Sequence, residues 1–227
     1  MKVLRPVQVL GELLITAGVL LLLFVGWQLL WTDVAATREQ GATVQTLERQ
    51  FGHPRKGVKM AGLTEVPSGQ AFAIVLIPRF GKSYARPVLE GTTYPVLQKG
   101  FGHYARTALP GHVGNFAVAG HRTTNGKPLN QIATLRKGDV VVVETRASYF
   151  VYAVTGHVIV RPTQTEVIAP VPQHPGRKPT TAYLTMTSCH PEYSARQRYI
   201  VFATLQRTFA RADGLPASYL AAPTDGG

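Results

Sequence analysis

Sulfur and acid are scarce in this chain. Its 227 residues include one cysteine, and 12 Asp and Glu stand against 24 Lys and Arg, a formal net charge of +12. A lone thiol excludes an internal disulfide framework, so an exported domain must hold together by burial alone, which its size permits. Few and scattered carboxylates exclude the clustered oxygen ligands of a calcium site. The adjacent Cys189 and His190 cannot both easily face one ion, so no metal and no cofactor is expected. No phosphate-cradling loop or dinucleotide fingerprint occurs. The basic balance invites a nucleic-acid reading, but the cations are dispersed and no aromatic-basic module accompanies them, so no nucleic-acid partner is expected.

Charge is also missing from residues 13–32, and there the absence is informative. The run from Leu13 to Trp31 reaches about 20 residues, enough for a helix to cross a hydrocarbon core of about 30 Å, with Trp27 and Trp31 near the outer interface. Glu12 lies at its inner edge. Lys2 and Arg5 precede the run and Asp33 follows it, which predicts a cytoplasmic N-terminus and an extracellular domain on a single-pass anchor. Val34-Ala35-Ala36 imitates a signal-peptide cleavage site, but the apolar run is too long for a cleaved leader.

The expected organisation is an N-terminus and anchor over 1–32, an extracellular stalk or linker over 33–70, a β-rich domain over 71–207 and a flexible tail over 208–227. Residues 34–51 show little apolar periodicity and read as a helical or partly ordered stalk, broken by Gly52-His53-Pro54. From Ala71 onward short β-type runs alternate with Gly and Pro, the pattern of an all-β domain. Strands are predicted over 72–78, 116–119, 139–145, 149–160, 182–188 and 199–205. Leu129, Ile132 and Leu135 recur at three-residue spacing, predicting a helical turn over 128–135. Pro162, Pro170, Pro172, Pro175 and Pro179 make 162–179 a long loop.

A thiol becomes a nucleophile when a basic partner stabilises its thiolate, and the acyl intermediate then needs a positive or amide-rich hole. Cys189 closes the predicted strand 182–188 and opens a polar loop. His121 ends another apolar strand in Gly120-His121-Arg122-Thr123-Thr124. Arg198 begins a strand nine positions after the cysteine, a separation that lets antiparallel neighbours bring the two side by side. His190 is a rival base, but adjacent strand residues point to opposite faces. Arg196 shares its face with Arg198, so pattern alone does not separate them.

These segments resemble the sortases, in particular the class E type of actinobacteria. The resemblance is carried by Leu109-Pro110-Gly111, by 115–126 with its Gly-His-Arg-Thr-Thr core, by 185–191 and by Tyr193-Ser194-Ala195-Arg196-Gln197-Arg198, within about 72–205. It implies a closed eight-stranded sortase-type β-barrel with short helices, preceded by the transmembrane helix. It also implies transpeptidation: Cys189 attacks a sorting signal, His121 acts as acid and base, and Arg198, favoured over Arg196 by the family's spacing, steadies substrate and oxyanion. Tyr104 resembles the tyrosine with which class E enzymes read the signal, and Thr187, Ser188 and Arg196 are the further substrate-contact candidates. The implied partners are secreted proteins bearing a C-terminal signal, of the Leu-Ala-Xaa-Thr-Gly type, and an amine of the peptidoglycan precursor. A pilin-type enzyme using a lysine acceptor, or a tethered binding module with a vestigial site, are the alternatives. Met186 and Ser188 replace the usual Leu and Thr before the cysteine and keep the site's character, whereas Asn125 stands where an aromatic residue is common.

Overall fold

One helix, α1 (Leu4–Phe51), begins the computed structural model, which describes residues 4–52, 62, 63 and 65–221. Pro6 falls in its first turn, where a missing N–H leaves no hydrogen bond unmade. The stretch Pro6–Trp27 has a mean hydropathy of 2.4 and buries nothing against the protein, as a membrane span requires. The span therefore starts earlier than the expected Leu13, because Val7, Val9 and Leu10 extend the exposed apolar surface past Glu12. Lys2 lies outside the described residues.

The helix does not end with the span. Residues 34–51 are helical throughout and dock on the domain instead of standing free. Val44, Leu47 and Phe51, spaced as one helical face, are buried against Ile74, with Ala71, Leu76 and Ala85 around them. Gln40, one turn earlier on that face, is fully buried. Four residues among many polar ones make a periodicity too weak to read without the surface they cover. Gly52, at φ +61°, ends the helix with its N–H on the Glu48 and Arg49 carbonyls. The rest of the expected break, 53–57, lies outside the described residues.

Eight strands follow: β1 (Ala71–Leu76), β2 (Ala85–Glu90), β3 (Phe101–His103), β4 (Gly114–Ala119), β5 (Val140–Glu144), β6 (Ser148–Val160), β7 (Ala182–His190) and β8 (Gln197–Ala210). They close into a barrel in the order β1-β2-β3-β4-β7-β8-β6-β5. Closure removes the unpaired edges that an open sheet would expose. The six strands read from periodicity correspond to β1 and β4 to β8. Two were not legible: β3 has only three residues, and Pro87 interrupts the pattern of β2. A short helix, α2 (Tyr94–Leu97), lies between them.

Phe116, Val118, Leu184, Met186, Val201 and Tyr152 fill the interior with Phe101, each essentially inaccessible to water. Burying each such side chain stabilises the fold by about 1.5–3 kcal/mol. Leu129, Ile132 and Leu135 join this core from a 3-10 turn, Ile132–Thr134, where a helical turn was expected. The 162–179 loop contains another, Thr165–Ile168.

β8 extends three residues past the expected domain end at 207, because Ser148 to Phe150 pair with Thr208 to Ala210. Arg211 then bonds Glu144 at 2.8 Å and the Gly52 carbonyl, joining the end of the barrel to the end of α1. Two 3-10 turns lie in the expected tail, whose last six residues, 222–227, are outside the described ones.

Candidate active site

The register of three neighbouring strands builds the site. β4 and β7 run parallel with Ala119 level with Thr187. Past that last pair the Gly120 N–H donates to the Thr187 carbonyl at 3.1 Å, and Ser188 Oγ donates to the Gly120 carbonyl at 2.9 Å. The two strands thus stay in contact one residue past β4, at Gly120, and His121 follows directly after it. On the other side, antiparallel pairing sets Cys189 directly opposite Arg198. The thiol lies on β7, between β8 with Arg198 on one side and the end of β4, from which His121 follows, on the other.

Alternation decides which face they use. Leu184 and Met186 of β7, and Tyr199 and Val201 of β8, belong to the interior. Thr187, Cys189, Arg198 and Ile200 therefore face outward. The 162–179 loop walls this outer face. Asn115 Nδ2 donates to the Val167 and Ala169 carbonyls at 3.3 and 3.0 Å, and Thr185 Oγ1 donates to the Val167 carbonyl at 3.4 Å. Val167 then packs with Val160 and Ile200 in a small apolar cluster outside the barrel. Between loop and strands lies a cavity of about 130 Å³, lined among others by Tyr104, Thr187, Arg198 and Ile200. Cys189 sits beside it, partly exposed.

His121 is half-buried, and loss of hydration holds its imidazole below the ordinary histidine value, so it is neutral at pH 7. Its Nε2 is buried without a hydrogen-bond partner among the described residues, and the ring meets Tyr94 edge-on at 6.2 Å. A neutral ring with an unengaged nitrogen suits proton transfer better than a structural role. Arg198 is braced by two bonds of 2.9 Å from one guanidinium nitrogen to the Ala195 and Gln197 carbonyls. Among the described residues no carboxylate pairs with it.

The substrate-contact candidates divide. Tyr104 and Thr187 line the cavity and share a hydrogen bond of 3.0 Å. Ser188 does not reach it: even parity with Met186 turns it inward, where it is 3% exposed and ties β7 to the end of β4. Arg196 precedes β8, is exposed, and lines an adjoining cleft of about 680 Å³ with Arg161 and Pro191. The rival His190 faces away from the thiol's side and bonds Arg122 at 3.1 Å.

Arg122 is a residue the sequence reading passed over. Buried, it donates to the Cys189 carbonyl at 3.3 Å and lies over the Tyr199 ring, holding the end of β7. Its place beside His121 was the available signal. Tyr94 and Gln40 offered none, because nothing local joins them to His121. No group of three or more His, Cys, Asp or Glu suited to one metal ion occurs among the described residues.

Residues 75–206 match the model of the sortase domain family. Over 92% of its length the chain is 37% identical to sortase SrtE1 and, over an equal share, 33% identical to sortase SrtE2, both of Streptomyces coelicolor. It spans 60% of the first protein's length and 85% of the second's. Among solved structures, sortase E of Streptomyces avermitilis is 45% identical with a TM-score of 0.61, covering 67% of this chain and 99% of that one.

Proposed function

The chain belongs to the sortase family, and from that premise we propose that it is a membrane-tethered cysteine transpeptidase of the class E type. Its substrate is a secreted protein ending in a sorting signal of the Leu-Ala-Xaa-Thr-Gly kind, and its acceptor an amine of the peptidoglycan precursor. The observation that supports this reading is the pairing of Cys189 with Arg198 on β7 and β8, with His121 in the segment that leaves the neighbouring β4, beside a walled cavity.

In the acylation step the Cys189 sulfur attacks the carbonyl carbon of the signal's threonine as its proton passes to the neutral His121 ring. The tetrahedral oxyanion forms on the side of Arg198, whose charge offsets it. The C–N bond then breaks, the leaving glycine amine takes the proton from His121, and a thioester remains on Cys189. In the second step the acceptor amine attacks the thioester and gives a proton to His121. An amide forms, and the sulfur leaves to recover the proton. The cavity beside Thr187 accommodates a side chain of the signal, with Tyr104 at its rim.

The apolar helix spans the membrane with its N-terminus in the cytoplasm and the barrel outside, following the positive charge before the span. Mass spectrometry of the full chain with a Leu-Ala-Xaa-Thr-Gly peptide tests the proposal. A thioester adduct is expected on wild type and none on Cys189→Ala. Cleavage by Cys189→Ala, or an adduct elsewhere, overturns it.

A further inference from the structure

His121 has little of its own to hold it. Among the described residues its Nε2 has no hydrogen-bond partner, and its ring meets one aromatic neighbour, Tyr94. Two pieces of backbone bear on the imidazole, the 121–130 loop that carries it and the α2 segment that carries Tyr94. Both are held by one side chain from outside the barrel. Gln40 Nε2 donates to the Asn125 carbonyl at 2.8 Å and to the Gln98 carbonyl at 3.2 Å. Gln98 closes α2 through its N–H on the Tyr94 carbonyl, and the Leu129 N–H returns the loop to the His121 carbonyl at 3.0 Å.

The loop needs such a support. Asn125, Gly126 and Lys127 lie in succession at φ +53°, +74° and +49°. Asn and Gly adopt that conformation readily, but Lys127 holds it only where surrounding structure supports it. Gln40 packs so closely under the turn that a Cβ on Gly126 would lie 2.8 Å from its Nε2. Asp33 takes the same loop from a second point on the helix, with a carboxylate oxygen 2.5 Å from Lys127 Nζ. Gln40 itself is fully buried 13 residues beyond the end of the apolar span.

We propose that Gln40 is a positioning residue for His121, so that the helix which anchors the chain also completes its active site. Docking of α1 by Val44, Leu47 and Phe51 brings Gln40 to the two carbonyls, and separation of helix from barrel releases both segments at once. The proposal rests on the transpeptidase reading for its catalytic consequence but not for its geometry.

The test uses the full chain in detergent micelles. Gln40→Met keeps the shape and helix propensity of glutamine and removes both donors. Leu47→Ala, two turns from Gln40, trims the docking face while Val44 and Phe51 keep the helix seated, and so reports a loss of stability alone. Gln40→Met is expected to lower kcat about tenfold with KM little changed, and to move the rate and pH dependence of Cys189 alkylation by iodoacetamide toward those of His121→Ala. Leu47→Ala is expected to lower Tm while kcat and alkylation stay within twofold of wild type. A Gln40→Met chain with wild-type kcat and alkylation, or one indistinguishable from Leu47→Ala, overturns the proposal. If wild type itself forms no product, the transpeptidase reading fails and alkylation still decides on Gln40. Should Gln40→Met not fold, Asp33→Asn decides by the same alkylation profile, a shift toward His121→Ala supporting the proposal and an unchanged profile overturning it.

Discussion

Two outer faces of the same barrel meet different fates. Over β1 and β2 the outward residues Ile74, Leu76 and Ala85 are apolar, and α1 covers them with Val44, Leu47 and Phe51. Over β7 and β8 the outward set is Thr187, Cys189, Arg198 and Ile200, and a proline-rich loop covers only part of it. The interior does not distinguish the two, since both turn buried apolar side chains inward, Val75 and Val88 on one side and Leu184, Met186 and Val201 on the other. A barrel thus separates stability from chemistry by parity: alternate positions of each strand build the core, and the remaining ones are free to dock a helix or to hold a nucleophile.

The comparison breaks most sharply at Arg198. Replacing it with alanine should reduce kcat/KM by about 10²- to 10³-fold, the cost of removing an oxyanion-stabilising group. Arg198→Lys should recover only part of this, because a point charge does not reproduce the braced guanidinium. Steady-state kinetics with a fluorogenic signal peptide measures both, and an Arg198→Ala enzyme as fast as wild type would deny the open face its chemistry. Thermal unfolding should leave Arg198→Ala unchanged, since the side chain covers no core.

The covered face should answer in the opposite way. Leu47→Ala removes a side chain only 3% exposed, and should cost about 2–4 kcal/mol on denaturant unfolding. A loss below about 1 kcal/mol would mean that the helix rests on the barrel without support from this contact.

The smallest effect is a pH dependence. Burial lowers the folded pKa of His121 below its ordinary value, about 6.5 in an unfolded chain. As pH falls through that value the unfolded chain binds the proton first, so stability declines until the folded imidazole is protonated as well. Above it His121 contributes no slope. Denaturation midpoints measured from pH 7 down to pH 5 should therefore fall less steeply in His121→Gln than in wild type. Equal slopes would mean that the ring is not desolvated.

Much of the open face was legible in advance. Cys189, His121 and Arg198 each end or begin an apolar strand, and period-two alternation told which neighbour shares a face with which. It separated His190 from the thiol but could not choose between Arg196 and Arg198, because only strand pairing shows that Arg198 stands opposite Cys189. Ser188 illustrates the reverse error. Its place beside the nucleophile made it a substrate-contact candidate, yet the same alternation, applied from Met186, turns it into the barrel. The covered face was hidden for another reason: an apolar stripe of three residues in a polar helix becomes visible only against Ile74 and its neighbours.

Composition and local pattern alone determined that this chain carries one apolar helix long enough to span a membrane, a β-domain without disulfides, and a lone thiol at a strand end. Those properties follow from residue type and short-range periodicity, which require no knowledge of the partner strands. Only the tertiary structure decided that β4, β7 and β8 are neighbours, that Cys189 stands opposite Arg198, and that α1 reaches the loop after His121 through Gln40. Such relations join residues up to 85 positions apart, and closure of the barrel sets them, because the order of strands in space differs from their order in the chain.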